Sequence, residues 1–398
     1  MSDHDESRRR VGRPASPSGR RISRRHFLAT ASVGSAAASA GCLDSVGLFG
    51  GDEANDVTLG DFQGSGPFVQ GRDAPGGTSM DDLDDLSGTL AIYIGGGEGG
   101  LYRGLIDLLE RKYPDFEVNL NSAPSTRLAN TIIKEKQSGQ SRADVFWSID
   151  AASLGLVANE GYAKSLSSDV LDPVPERLRD SEGRWTGVAG RARAIPYNTN
   201  RFSADDIPNE TAAFATQDRF ADSMGWAPTY GAFKSFVTAM RLMEGRSTTK
   251  SWLQGMLDQN VQEFRDEYFV SRGVANGAVS AGFANHYYAL RVKAAQEDPP
   301  IALAFTESDA GALVNVSGIE VIEGTQRSEL AELFARHLLT AEAQEFFATR
   351  AYAYPMISGV QPVGDLPTID ELNPPEIDLT KLSDVEPTLE LMREVGVL

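Results

Sequence analysis

Between residues 89 and 159, short apolar runs alternate with stretches of helical periodicity, and this alternation restricts the fold more than any other feature of the chain. Leu90-Ala91-Ile92-Tyr93-Ile94 is an apolar run bounded by glycines, 101–112 carries apolar residues at helical spacing, and 116–120 reads as a second strand. A helix over 127–137, a buried-strand pattern at Ala143-Asp144-Val145-Phe146-Trp147 and a helix over 151–159 continue the series. Strands separated by helices pair in parallel, so the pattern predicts an α/β fold with a mainly parallel sheet covered by helices on both faces. A second region, 195–304, carries helices over 230–243 and 251–260 and a strand over 281–284. The strand-like run Ala312-Leu313-Val314-Asn315-Val316 then precedes a helix over 327–350 that is punctuated near Thr340. At 398 residues the chain is too long for one small core, and two lobes that exchange segments are expected.

The N-terminus reads as an export signal. Arg24-Arg25-His26-Phe27-Leu28 has the form of a twin-arginine motif, and the small and apolar run that follows, 29–40, is too short to span a bilayer. It ends Ser39-Ala40-Gly41-Cys42, which resembles a lipobox, and Cys42 is the single cysteine of the chain. Removal of 1–41 and lipidation of Cys42 would anchor the protein on the outer face of the cell membrane. Residues 42–87 are rich in Gly, Asp and Ser, include Asp81-Asp82-Leu83-Asp84-Asp85, and lack apolar periodicity, so a flexible acidic tether is expected there.

Composition excludes several functions. The formal charge is −19 although the signal region is rich in arginine, so the exported part is strongly acidic. Such a surface repels nucleic acid and suits a salt-adapted organism. One cysteine permits neither an internal disulfide nor a thiolate metal cluster. Loss of His4 and His26 with the signal leaves only His286 and His337, which excludes three-His and H-E-x-x-H zinc sites. No G-x-S-x-G elbow is present to supply a nucleophile.

Two stretches carry candidate chemistry. Gly95 to Gly100 satisfies G-x-G-x-x-G between a strand and a helix, which leaves a secreted dinucleotide-dependent oxidoreductase as an alternative. The same glycines would let backbone approach a ligand at a helix N-terminus. The second stretch is Asn285-His286-Tyr287-Tyr288-Ala289-Leu290-Arg291. Ferric iron is a hard cation that prefers oxygen donors, and a bound cation holds phenol as phenolate, so a tyrosine pair in a chain short of histidine and thiol suits such a metal. A Tyr-Tyr pair also serves as plain packing.

From Thr89 onward the chain resembles the ferric-ion-binding family of ABC-importer solute-binding proteins. The likeness runs in order through Ile92-Tyr93-Ile94-Gly95 with Glu98, Ala143 to Trp147, Gly190-Arg191-Ala192-Arg193 before Tyr197-Asn198-Thr199, Trp226-Ala227-Pro228-Thr229, Asn285 to Tyr288, and Gly311 to Gly318. The resemblance implies a two-lobed type II periplasmic-binding-protein fold with an interlobe cleft and crossover hinge strands. Lobe I is expected over 88–193 and 308–362, and lobe II over 194–307 and 363–398, closed by a short C-terminal helix. It implies Tyr287 and Tyr288 as iron ligands and Tyr230 as a third. A synergistic anion, carbonate or phosphate, would sit at Thr229, Tyr230, Gly231 and Ala232 beside Asn285, with Arg191 and Arg193 either pairing with it or bracing the interlobe strand. Lobe I offers Tyr93, Glu98 and Asp150 as oxygen donors. Gly96 and Gly97 stand where the family often has His or Arg, Ile149 stands where some members have a Glu ligand, and Glu267 or Tyr268 stands near an anion-binding Asn of relatives. The implied protein is a monomeric, non-enzymatic carrier that delivers its ligand to an ABC permease and its ATPase. An oxyanion or small organic acid remains an alternative ligand.

Overall fold

The computed structural model describes residues 57–96, 99–139 and 141–398. The twin-arginine motif, Cys42 and Glu98 lie outside these residues. The chain passes through a single turn, α1 (Leu59–Phe62), into β1 (Gly88–Gly95), which pairs in parallel with β2 (Phe116–Ala123) on one side and β3 (Val145–Ser148) on the other. The crossovers are α2 (Gly99–Lys112) and α3 (Ser125–Gln137), and α4 (Ala151–Asn159) follows β3 behind the N-cap Asp150. After the short α5 (Ser168–Leu171), the long strand β4 (Thr186–Asn198) leaves this lobe and enters the next.

Lobe II runs α6 (Thr211–Phe214), β5 (Met224–Trp226), α7 (Gly231–Glu244), α8 (Arg246–Asp258), β6 (Gln262–Glu263), α9 (Glu267–Ala275), β7 (Ala281–Gly282), β8 (Ala284–Asn285), α10 (His286–Ala295) and β9 (Ile301–Ala304). The chain then returns through β10 (Val314–Val321) to α11 (Ser328–Leu338) and α12 (Ala341–Arg350), and ends in α13 (Glu386–Val395). Among the described residues no helix is long and apolar enough to cross a membrane.

The lobes are joined by three crossings. Along β4, residues up to Ala192 pair with β10, whereas Arg193 and Ala194 pair with β8 and 195–198 with β9. On the return, the turn Ala310–Ala312 packs on α7, and β10 then inserts between β3 and β4, antiparallel to both. Finally the turn Leu379–Ser383 packs on α4 of lobe I, while α13 packs on α7 and α8 of lobe II. The contact of that turn with α4 requires glycine at Gly155, where a Cβ would lie 2.5 Å from the Thr380 Cβ.

Each lobe is centred on aromatic residues. Trp147 stacks on Tyr102 at 5.1 Å and meets Phe334 and Phe347 edge-on in lobe I. Trp226, Phe233, Phe236, Trp252 and Phe283 form the corresponding cluster in lobe II. Such pairs add about 0.5–1.5 kcal/mol each beyond burial of their area.

Two segment assignments differ from the sequence reading. The stretch 57–87, expected as part of a tether, is packed on lobe I: Phe62 and Met80 are buried, and Arg72 forms an ion pair with the buried Glu345 of α12. Its polar composition hides a few apolar anchors whose partners lie far along the chain. The segment 363–383 lies on lobe I rather than lobe II, through the ion pair of Arg177 with Asp370 and the seat of Thr380 on α4, whereas 308–313 lies on lobe II, where Asp309 accepts from the Thr211 amide.

Candidate metal-binding cleft

Strand β8 is two residues long, and the chain turns directly from Asn285 into α10, so Tyr287 and Tyr288 occupy the first turn of a helix rather than a strand end. The opening N–H groups of a helix lack intrahelical acceptors, and its dipole is positive there, which lowers the cost of negative charge on nearby oxygens. Tyr230 occupies the same kind of place, as N-cap of α7. Its hydroxyl is hydrogen-bonded to that of Tyr288, and the rings of Tyr287 and Tyr288 lie 4.2 Å apart. Three phenols thus converge from two helix N-termini of lobe II. The Arg291 guanidinium, one turn along α10, lies over both rings, 4.8 Å from the centroid of Tyr287 and 5.6 Å from that of Tyr288. Burial, with the neighbouring Tyr230 second, holds the Tyr288 phenol well above the ordinary range, so without a cation it is neutral.

Beside the phenols lies an interlobe cleft of about 430 Å³. Lobe II lines it with Arg193, Asn285, Lys234, Ser235 and the start of α7, and lobe I with Thr126, Asp150 and Ser153. Arg193 is buried and donates to the side-chain Oδ1 of Asn285 at 3.2 Å and to the buried Glu267 carboxylate, which also accepts from the Asn285 backbone N–H at 2.8 Å. A second guanidinium nitrogen of Arg193, Nη2, is buried without a partner among the described residues. The α7 N-terminus has no side-chain cap, so the N–H groups of Gly231 and Ala232 stand at the cleft. An arginine, a lysine and uncapped N–H groups on one wall form a site for an anion.

The residues singled out in the sequence are distributed as follows. Tyr230, Tyr287 and Tyr288 come together, and Gly231, Ala232, Asn285, Arg191, Arg193 and Asp150 line the cleft. Arg191 also donates to the Ile149 carbonyl of lobe I. The Asp150 carboxylate is committed to α4, accepting from the Ser153 amide at 2.7 Å. Thr229 is exposed and lines no part of the cleft. Tyr93 turns away from it: its hydroxyl donates to Glu135 of α3 at 2.9 Å, because its side chain lies on the sheet face that α3 covers. Gly95 is explained by packing, since a Cβ there would strike the Ser125 hydroxyl and approach the Ile149 amide to 3.0 Å. Among the described residues no cluster of three His, Cys, Asp or Glu could hold a metal. The sequence reading did not assign Arg291, Lys234, Ser235 or the 382–385 segment that also lines the cleft; the spacing of Arg291 from the tyrosine pair, three and four residues, was the one available signal.

Residues 140–377 match the family described as bacterial extracellular solute-binding protein. The chain belongs to that family. This solute-binding protein is 26% identical over 294 residues to the major ferric iron-binding protein of Neisseria meningitidis serogroup B, covering 71% of this chain and 85% of that one. It is 28% identical over 289 residues to the Fe(3+)-binding periplasmic protein of Serratia marcescens, covering 71% and 83%. Iron-bound HitA from Pseudomonas aeruginosa superposes with a TM-score of 0.67 at 26% identity, covering 77% of this chain and 99% of HitA. The fold is the two-lobed, type II periplasmic-binding-protein fold, with the tyrosine trio at its interlobe cleft.

Proposed function

We propose that this solute-binding protein captures ferric iron with the phenolate oxygens of Tyr230, Tyr287 and Tyr288. The convergence of three phenols carries the reading, because hard oxygen donors are what ferric iron selects and few other ligand types are at hand. A carbonate or phosphate held by Arg193, Asn285 and the α7 N-terminus completes the shell. The role is binding, not catalysis: the lobes close on the cargo and present it to an ABC permease whose ATPase supplies the work. The twin-arginine motif and Cys42 support export and a lipid anchor at the outer face of the membrane, and the acidic surface supports function in high salt as a monomer.

The test is a ferric titration of the protein in molar salt with bicarbonate, followed in the visible spectrum. A tyrosinate-to-iron band that saturates at one equivalent, and is lost in Tyr287→Phe with the fold intact, establishes capture. A folded protein without a band, but with saturable anion binding lost in the double variant Arg193→Met/Glu267→Met, would transfer the cleft to an oxyanion or small organic acid, which its cationic wall also suits.

A further inference from the structure

Tyr352 is a non-glycine residue with φ of +55°, a left-handed backbone that costs on the order of 1–3 kcal/mol and persists only where the surroundings hold it. Its carbonyl accepts from Nε2 of His286 at 2.7 Å, and Nδ1 of His286 lies 3.2 Å from the amide of Ala192 on the crossing strand β4. His286 directly precedes Tyr287, with ring centroids 5.7 Å apart. The strained carbonyl of lobe I therefore fixes the start of the helix that carries the tyrosine pair. Two residues earlier, Arg350 lines a second cavity, of about 480 Å³, together with Tyr230, Tyr288 and Arg291.

What holds this stretch is the segment ahead of the lobes. The Arg350 guanidinium donates to the carbonyls of Asp61, Phe62 and Gln63 at 2.7, 3.0 and 3.1 Å. The Gly64 amide donates to the Thr349 hydroxyl at 2.8 Å, an approach so close that a Cβ on Gly64 would lie 2.5 Å from the Thr349 carbonyl oxygen. Phe68 packs edge-on against the Tyr352 ring at 5.6 Å. Arg72 grips both oxygens of Glu345 at 3.0 Å and donates to the carbonyls of Gln361 and Pro362, and the Gly76 amide donates to the Gly359 carbonyl.

We infer that residues 57–87 are a clasp that positions the metal site from outside it: Phe68 and Arg72 hold 345–362 in place, and through Tyr352 and His286 they set how firmly the α10 tyrosines keep their ligand. The effect on metal rests on the ferric reading; the effect on His286 does not. The full chain is tested as Phe68→Ala, as the conservative Phe68→Leu, and as the double variant Arg72→Met/Glu345→Gln, because Arg72→Met alone would strand a buried carboxylate. Release of iron, loaded with bicarbonate, to excess EDTA is timed, the tyrosinate band is recorded, and histidine ring ¹⁵N resonances are followed by NMR.

Phe68→Ala and the double variant are expected to release iron at least about tenfold faster, a change of about 1.4 kcal/mol, with a shifted band and a displaced His286 resonance. The His337 ring, held by Leu333 and Tyr113, should not move, and Phe68→Leu should restore most of the wild-type rate. Unchanged release in folded Phe68→Ala and double variants overturns the inference. If the wild type holds no iron, the ferric reading fails separately, and an unmoved His286 resonance in Phe68→Ala then overturns the clasp.

Discussion

The hydroxyls of Tyr230 and Tyr288, from the N-cap of one helix and the first turn of another, share a hydrogen bond that exists only while at least one of them keeps its proton. Burial already raises the Tyr288 phenol, so a ferric ion must displace protons to be bound. Ferric affinity is expected to fall as pH falls, by about tenfold per pH unit for each proton displaced. Titrations at several pH values with proton release recorded check this, and Tyr230→Phe should lower the slope as well as the affinity. An affinity independent of pH would remove the phenols from the ligand set.

Arg193 and Glu267 form a buried ion pair, 4% and 0% exposed at the side chain. Removing one partner strands the other in a poorly solvated place, which costs about 3–5 kcal/mol. Glu267→Gln should therefore lower the urea midpoint strongly and loosen Asn285, whose amide donates to that carboxylate. The double variant Arg193→Met/Glu267→Met should recover most of the stability but not anion binding, which separates the pair's two roles.

Glu320 lies in the core of lobe I, fully buried, with neither carboxylate oxygen hydrogen-bonded among the described residues. Burial pushes its pKa well above the usual carboxylate value of 4.5. The unfolded chain gives up this proton near pH 4.5 and the folded chain does not, so its stability contribution is lost as pH rises above that value. Glu320→Met is expected to stabilise the protein by roughly 1–3 kcal/mol at pH 7, with the gain shrinking towards pH 4 in denaturant unfolding.

His286 acts in the opposite sense. Burial, with the cations Arg191 and Arg291 nearby, lowers its pKa from 6.5 to about 4. The unfolded chain takes up the proton first on acidification, so stability falls as pH drops from about 6.5 towards 4, by on the order of 3 kcal/mol in all. In the Glu320→Met background this slope should stand clear of the carboxyl's opposing one, and the His286 ring should stay neutral by NMR at pH 5.5.

The α/β class was legible because strand and helix periodicities alternate without interruption from Leu90 to Asn159, each element covering the last. The pair Tyr287-Tyr288 suited a hard cation in a chain short of histidine and thiol but suited plain packing as well, and it was the family resemblance that implied these two and Tyr230 as ligands. Tyr93 was misread because a strand residue points to either face and its partner Glu135 sits on a later helix. The clasp was illegible because its contacts, such as Gln63 to Glu345 and Gly64 to Thr349, join residues more than 280 positions apart. Phe68 and Arg72 are single anchors in a polar stretch, and no local period marks them.

The insertion of β10 between β3 and β4 also dictates the order in which the molecule can be built. Until residue 321 has left the ribosome, the inner edges of β3 and β4 have no strand to receive their hydrogen bonds, and exposed edges of this kind pair readily with other chains. Lobe I, although it begins first, cannot complete its sheet until the strands and helices of lobe II from α6 to β9 have been synthesised, and no continuous fragment that stops short of β10 can complete that sheet.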